Sequence, residues 1–179
     1  IAGTAFADKN PSPAASSAIK LASVSSEGLE VNFRPDPTIG TGEFANNAWL
    51  QELPKAITRV TWDNIAALSL NTAEKLGITE SEVNQPEVAG RFAHGRVLKL
   101  EVGGRSLEVP AWVVPGHAED SITLYLGYGR THAGRIGTGI GYDANALRTS
   151  RNPYFATGLQ ATKTGKTTSI ASTQDHGSM

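Results

Sequence analysis

Cysteine is absent from the 179 residues of this chain. Disulfides, cysteine-ligated zinc and iron–sulfur clusters are therefore excluded within it. Long apolar runs are absent too, since none approaches the ~20 residues of a membrane-spanning helix, and the first residues lack the pattern of a signal peptide. We expect a soluble chain with no direct membrane insertion. Because it begins with Ile1 rather than methionine, we expect it to be a piece of a longer polypeptide.

An excess of charge of one sign is also missing. The 16 Lys and Arg residues nearly balance the 17 Asp and Glu residues, which leaves a formal net charge of −1. Because no global basic field exists to release counterions, nucleic acid is not an expected partner. The tryptophans Trp49, Trp62 and Trp112 have no basic cluster beside them, so we expect them to be packing residues rather than stacking platforms for bases.

Several patterns that carry chemistry do not occur. The four histidines form no close pair at ligand spacing, so no metal site is predicted. No G-x-S-x-G elbow is present, and a hydrolytic triad has no support. Gly165-Lys166-Thr167 lacks the partner glycine of a phosphate loop, because Gln160 stands at that position. We therefore assign no catalytic residue and interpret the Gly-Lys-Thr run as a polar turn.

Alternating apolar residues indicate a β-hairpin in the middle of the chain. The alternation covers residues 98–102 and 107–113, and Gly103-Gly104 stands between them. Two adjacent glycines accept the positive φ angles of a tight two-residue turn. Residues 122–126 continue as a third strand. Apolar strands that lead into a glycine-rich loop indicate a small barrel.

Shorter signals surround this hairpin. Residues 29–33 alternate as a strand, residues 49–53 resemble one helical turn before a proline, and residues 60–68 indicate a strand pair. A short helix is predicted between Asn71, which can cap the free amides, and Gly77, which can supply the left-handed residue after the helix.

The composition also predicts the domain boundaries. Residues 1–27 are rich in Ala, Ser and Pro, which indicates a linker, or an extended arm packed on a neighbouring domain. Residues 28–163 form the predicted barrel domain, with residues 78–94 as a polar loop or insertion. A last short strand is expected to begin near Leu159. Residues 164–179 are predicted to be a frayed tail that leads to a missing following domain.

Six glycines lie between residues 127 and 141, together with Arg130 and Arg135. Backbone amides and guanidinium groups match phosphate oxygens, so the segment could hold a phosphate or pyrophosphate. The spacing is not that of a dinucleotide fingerprint, and no βαβ unit surrounds it. The alternative is that the glycines permit a tight crossover or packing against another subunit.

Four separated segments carry a resemblance to a known family. They are FANNAWLQELPKAITRVTWDNIAALS, NTAEKLGI, GRVLKLEVGGRSLEVPAWVVPGHAEDSITLYLGYGRTHAGRIGTGIGYDANALR and the closing TQDH, all within residues 29–176. These segments resemble the C-terminal part of molybdopterin oxidoreductases. Within that family they most resemble the large iron–sulfur subunit of bacterial alternative complex III, a quinol-oxidising electron-transport complex.

The resemblance implies a fold and a set of candidate residues. The fold is mainly β with short helices, a double-psi β-barrel of the kind that binds molybdopterin guanine dinucleotide in cofactor-bearing relatives. Carried over by position, Asn46, Asn47, Gly141 and Asn145 are the cofactor-binding candidates. The resembled subunit lacks this cofactor, and its electrons pass through iron–sulfur clusters elsewhere in the parent chain. The resemblance therefore implies a scaffold with no cofactor in this fragment, which is not catalytic alone.

The resemblance also implies partners and a location. The partners are other domains of the parent chain and subunits of a membrane-associated respiratory complex, on the periplasmic side of the bacterial inner membrane. Two alternatives stay open. One is a molybdopterin guanine dinucleotide-binding domain of a molybdenum or tungsten oxidoreductase. The other is an independent β-barrel module that binds a peptide or a nucleotide.

Overall fold

A computed structural model describes residues 28–79, 82, 85–86 and 92–173. The predicted linker at residues 1–27 lies outside these described residues. So do the end of the predicted tail, residues 174–179, and much of the predicted insertion before the hairpin.

Seven strands and three short helices make up the described part of the chain. The strands are β1 (Leu29–Arg34), β2 (Ala66–Leu68), β3 (Gln85–Pro86), β4 (Phe92–Val102), β5 (Arg105–Val113), β6 (Ser121–Tyr125) and β7 (Phe155–Ala171). The helices are α1 (Ala48–Glu52), α2 (Leu70–Lys75) and α3 (Gly134–Gly137), and a 3-10 turn covers Ala144–Ala146. The predicted mainly β fold with short helices is confirmed.

The strand pairings close on themselves. The strand order is β3-β4-β5-β2-β6-β1-β7, and β4 also pairs with β7. Six strands therefore form a circuit, while β3 lies beside the first part of β4. The neighbours β1 and β6 run parallel, as do β2 and β5, and the other pairs are antiparallel. Closure leaves these six strands without the unpaired edge that invites aggregation.

The interior of this circuit is filled by the apolar residues that alternate along the strands. Fully buried members of the main core include Val31, Leu98, Leu100, Val109, Ile122 and Leu124. Each large aliphatic side chain buried in this way contributes ~1.5–3 kcal/mol relative to an exposed one. The predicted inward faces of four strands are therefore confirmed.

The turn between β4 and β5 has the predicted geometry. Gly103 and Gly104 have φ angles of 58° and 75°, and Val102 faces Arg105 across the turn. Two consecutive positive φ angles are those of a type I′ turn, whose twist matches that of the strands it joins. The predicted hairpin and its register are confirmed.

Helix α2 begins at a different residue from the predicted one. Ser69 is the N-cap, and its Oγ accepts a hydrogen bond from the Thr72 amide at 3.1 Å. The predicted cap, Asn71, lies inside the helix, and its side chain instead contacts Glu119. The end of the helix is as predicted: Gly77 has a φ of 73° and its amide donates to Glu74 O at 2.9 Å.

Two predicted strands have different bounds. Val60 and Trp62 do not form a strand, because Trp62 has a φ of 60° and Val60 makes only an isolated bridge to Ser172. The expected short last strand is wrong, since β7 runs from Phe155 to Ala171. Its polar second half pairs with the beginning of β4, which starts earlier than the hairpin pattern indicated. Pairing with the distant strand β4 orders the second half of β7, which local composition alone does not predict.

Candidate functional site

The four candidate cofactor residues differ in their contacts within the chain. The Asn47 side chain caps helix α1, where its Oδ1 accepts from the Leu50 amide at 3.3 Å. Asn145 donates to Asp143 Oδ1 at 3.0 Å and accepts from Arg148 Nη1 at 2.8 Å. Both asparagine side chains therefore make their hydrogen bonds within the chain.

The other two candidates have contrasting surroundings. Gly141 lies against protein, because a Cβ added there would come within 2.8 Å of the Tyr128 Cβ atom and 3.0 Å of Asn64 Oδ1. Asn46 is exposed and lines a cavity of about 200 Å³ between α1 and the glycine-rich segment. Of the four, only Asn46 borders this open space.

Asn64 fixes the ends of the glycine-rich segment to the barrel. Its Nδ2 donates to the carbonyls of Tyr125 at 3.0 Å and Tyr142 at 2.8 Å, and its Oδ1 accepts from the Tyr142 amide at 2.7 Å. The side chain is 1% exposed. One buried amide therefore bonds to both ends of the segment, a role that no local pattern in the sequence indicates.

A buried ionic cluster lies beside this segment. Lys55 Nζ is 3.6 Å from Asp36 Oδ2, and Tyr128 Oη donates to the same carboxylate oxygen at 3.0 Å. Lys55 Nζ also lies 5.2 Å from the centre of the Tyr128 ring. The other carboxylate oxygen, Oδ1, accepts from Thr38 Oγ1 at 2.6 Å and from the amides of Thr38 and Ile39.

Burial shifts the pKa values of Lys55 and Tyr128 in this cluster. It lowers the pKa of Lys55, against the opposing attraction of Asp36. Burial also raises the pKa of Tyr128, with a further contribution from the Asp36 charge, so the phenol stays protonated and donates. The Lys55 ammonium reaches the carbonyls of Val60 and Asp63 at 3.4 Å each. With its donors engaged in this way, Lys55 is better suited to holding these loops together than to attacking a substrate.

A wall of the 200 Å³ cavity holds polar atoms without partners among the described residues. Arg130 Nη1 donates to the Ala45 carbonyl, but its buried Nε and Nη2 have no hydrogen-bond partner. Gln51, which is 1% exposed, donates from Nε2 to the same carbonyl at 3.0 Å, and its Oε1 has no partner. Burial lowers the pKa of Arg130. Two neighbouring side chains therefore retain unused donors and an unused acceptor.

Large apolar side chains lie exposed around this cavity or next to residues that line it. The exposed fractions are 84% for Trp49, 72% for Ile136 and 54% for Phe44. The prediction that Trp49 is a packing residue is wrong, while Trp112 is buried as expected. Trp62 is half-buried and lines the cavity. Helix α1 buries Gln51 and leaves Trp49 exposed.

The sequence singled out Arg130 but missed the other polar residues of this region. Asp36 and Tyr128 are 92 positions apart, and Asn64 and Tyr142 are 78 apart. No spacing rule links residues at such separations. Gln51 lies in the first of the segments that carry the family resemblance. Only its burial, which the sequence does not reveal, distinguishes it from an ordinary helical glutamine.

A second cavity of about 410 Å³ is lined by Lys55 together with Arg34, Ile57, Tyr125 and neighbouring residues. Within the described ranges, no group of three or more His, Asp or Glu residues could hold a metal ion, and no helix is long and apolar enough to cross a membrane.

Neither the protein-family models nor the curated proteins contain a match to this chain.

Proposed function

We propose that this chain is a double-psi β-barrel that serves as a scaffold domain in a larger oxidoreductase subunit. The parent subunit belongs to a quinol-oxidising respiratory complex on the periplasmic side of the bacterial inner membrane. In that complex the barrel holds neighbouring domains in place and carries no molybdenum cofactor. Electrons pass through iron–sulfur clusters elsewhere in the parent.

The observation that carries this proposal is the closed circuit of six strands with two parallel pairs. The parallel pairs β1–β6 and β2–β5 flank the antiparallel pair β2–β6, and the other three pairs of the circuit are antiparallel. A double-psi barrel is a closed six-stranded barrel that mixes parallel and antiparallel neighbours. The pairing therefore supports the fold that the resemblance implies.

The residues present do not fit molybdopterin guanine dinucleotide. Asn47 and Asn145 use their side chains within the chain, and Gly141 is covered by Tyr128. The cavity beside Asn46 measures about 200 Å³, whereas pockets for small ligands measure roughly 300–1,000 Å³. A dinucleotide cofactor lies toward the upper end of that range. This mismatch favours a scaffold over a cofactor-binding domain.

Substitutions in the parent complex can separate these two roles. Leu124→Ala removes a fully buried side chain of the barrel core and should cost ~2–5 kcal/mol of stability. We expect it to dissociate the complex on native gels and to reduce quinol oxidation in proportion. Asn145→Ala, at an exposed position outside the lining of that cavity, should leave both assembly and quinol oxidation unchanged.

The opposite pattern would contradict the proposal. If Asn145→Ala abolished quinol oxidation in a complex that assembled normally, the barrel would be a cofactor-binding domain. Circular dichroism of each variant shows whether a loss of activity follows from a loss of folding.

A further inference from the structure

We propose that the cavity between Arg130 and Gln51 is a docking site for a partner polypeptide that inserts an aspartate or glutamate side chain. The exposed side chain of Ile136 lines this docking site, and exposed Phe44 and Trp49 directly precede or follow the lining residues Ala45 and Ala48 in the chain; these three apolar side chains are its rim. The inference deepens the scaffold proposal and rests on it, because a scaffold needs a polypeptide partner whose chemistry is now specified.

The unused atoms of Arg130 define the first part of the ligand. Nε and Nη2 lie along one edge of the guanidinium plane, and neither has a partner among the described residues. Two parallel N–H groups on one edge match the two oxygens of a carboxylate, which binds such a fork in a bidentate manner. The third nitrogen, Nη1, is occupied by the Ala45 carbonyl and fixes the orientation of the group.

The unused oxygen of Gln51 defines the second part. Its orientation follows from the hydrogen bonds, because only the Nε2 end can donate to the Ala45 carbonyl. Oε1 therefore faces away from that carbonyl and needs a donor. A backbone N–H near the inserted carboxylate supplies that donor. Polypeptides carry both groups close together, whereas a fully deprotonated anion such as sulfate carries only acceptors.

The cost of leaving these atoms unpaired supports a missing partner. A buried donor or acceptor without a partner costs roughly 1–3 kcal/mol, and more when the group is charged. Folded proteins retain few such groups. Among the described residues, five buried side-chain nitrogen or oxygen atoms have no hydrogen-bond partner, and three of these five belong to Arg130 and Gln51.

The charge around the cavity has one sign. Arg130 and Arg135 both line it, and none of the lining residues is acidic. An inserted carboxylate would therefore meet two cations and no repelling charge. Electrostatic complementarity of this kind selects an acidic partner segment.

The rim indicates a macromolecule rather than a free metabolite. Trp49 and Ile136 are 84% and 72% exposed, and a small anion in the cavity would leave both in water. Contiguous exposed apolar side chains mark protein interaction sites. Tryptophan and arginine are also the residues that most often dominate the free energy of such interfaces.

Access to the guanidinium requires movement of α3. The unpaired Arg130 atoms have essentially no contact with water, and a Cβ added at Gly137 would lie 3.2 Å from Arg130 Nη1. Gly137 of α3 therefore packs against one side of the guanidinium group. An outward shift of this four-residue helix would expose the fork to an incoming carboxylate.

Photocrosslinking in the full-length parent tests the inference. Trp49 is replaced by p-benzoylphenylalanine, the membranes are irradiated, and the crosslinked peptides are identified by mass spectrometry. We expect crosslinks to a segment of another domain or subunit that contains an Asp or Glu close to the crosslinked residue. Arg130→Lys keeps the charge and a donor for Ala45 but removes the fork, so it should lower the crosslink yield at least about tenfold. Arg151→Lys, at an exposed position outside the cavity lining, is the matched control.

A further substitution identifies the carboxylate. Changing the acidic residue of the captured segment to its amide should reduce the yield as much as Arg130→Lys does, and the two changes together should cost little more than either alone. Equal yields from Arg130→Lys and Arg151→Lys would overturn the inference, as would capture of segments without an acidic residue or of a second copy of this chain. Thermal stabilisation of the chain by inorganic phosphate that Arg130→Lys abolishes would also overturn it, in favour of a phosphate ligand. These readouts do not depend on pterin content, so this inference can fail while the scaffold proposal stands.

Discussion

Asp36 is the residue on which the loops beside the barrel depend. Its side chain is fully buried, and it accepts hydrogen bonds from Tyr128 and from the Thr38 and Ile39 amides while it faces the Lys55 ammonium. Surface ion pairs such as Lys99–Glu101 have no such role, because both partners are more than 40% exposed. Losing one partner of a buried pair is far more costly than losing one partner of an exposed pair.

Asp36→Asn should therefore lower the free energy of unfolding by about 3 kcal/mol, because it leaves the Lys55 charge buried without its counterion. Glu101→Gln, the surface control, should change it by less than ~1 kcal/mol. Urea denaturation measures both values. Adding Lys55→Met to Asp36→Asn should recover part of the loss. A cost below ~1 kcal/mol for Asp36→Asn would show that the buried pair is not a stabilising contact.

Glu82 should contribute to the loss of stability of this chain at acid pH. Hydrogen bonds from Lys163 and the Thr79 amide, with further attraction from Lys163 and Arg96, lower the pKa of its carboxyl from 4.5 to about 2. A lowered pKa means that the stabilisation is present above the unfolded value and is lost as the pH falls toward 2. Melting temperatures between pH 6 and pH 2 should therefore fall less steeply for Glu82→Gln than for the original chain. Parallel profiles would contradict this assignment.

At the scale of the element, local sequence signals predicted most of what forms locally. The β4–β5 hairpin follows from alternation and two glycines, and the end of α2 follows from Gly77. The start of α2 was predicted wrongly, because Asn71 and Ser69 are both good caps and only the backbone decides between them. Where two neighbouring residues offer the same hydrogen bond, sequence alone does not choose.

Alanine substitutions distinguish the two caps. Ser69→Ala removes the buried hydroxyl that accepts from the Thr72 amide and should cost about 1 kcal/mol of unfolding free energy. Asn71→Ala removes only an exposed contact with Glu119 and should cost less than ~0.5 kcal/mol. Chemical denaturation of both variants is the measurement. Equal costs, or a larger cost for Asn71→Ala, would restore Asn71 as the cap.

At the scale of the whole molecule, the important contacts join distant parts of the chain. The first half of β4 pairs with the second half of β7, for example Arg96 with Thr167. The polar composition of the second half of β7 predicted a frayed tail. That prediction failed because a strand in a closed barrel can carry polar residues and still be ordered by pairing with its partner strand. The cavity at Arg130 was equally hidden, since it unites α1 with the glycine-rich segment. Its arginine could be predicted, but its unpaired atoms could not.

Closure of the barrel can be tested with an introduced disulfide. Lys99 on β4 faces Thr162 on β7 across the closing pair, and the chain has no other cysteine. The double substitution Lys99→Cys and Thr162→Cys should form an intramolecular disulfide under mild oxidation, because directly opposed strand residues lie within disulfide distance. Lys99→Cys with Glu30→Cys, on the non-adjacent strand β1, is the control. Only intermolecular disulfides in the first variant would mean that β4 and β7 are not paired.

The scaffold role itself is tested most directly by counting cofactor in the intact parent. The full-length complex would be purified with its quinol oxidation intact, and its pterin and molybdenum would be quantified per copy of this chain by fluorescence and by elemental mass spectrometry. Our account predicts active complex with far less than one pterin and one molybdenum per chain. Stoichiometric pterin and molybdenum in the active complex would contradict it.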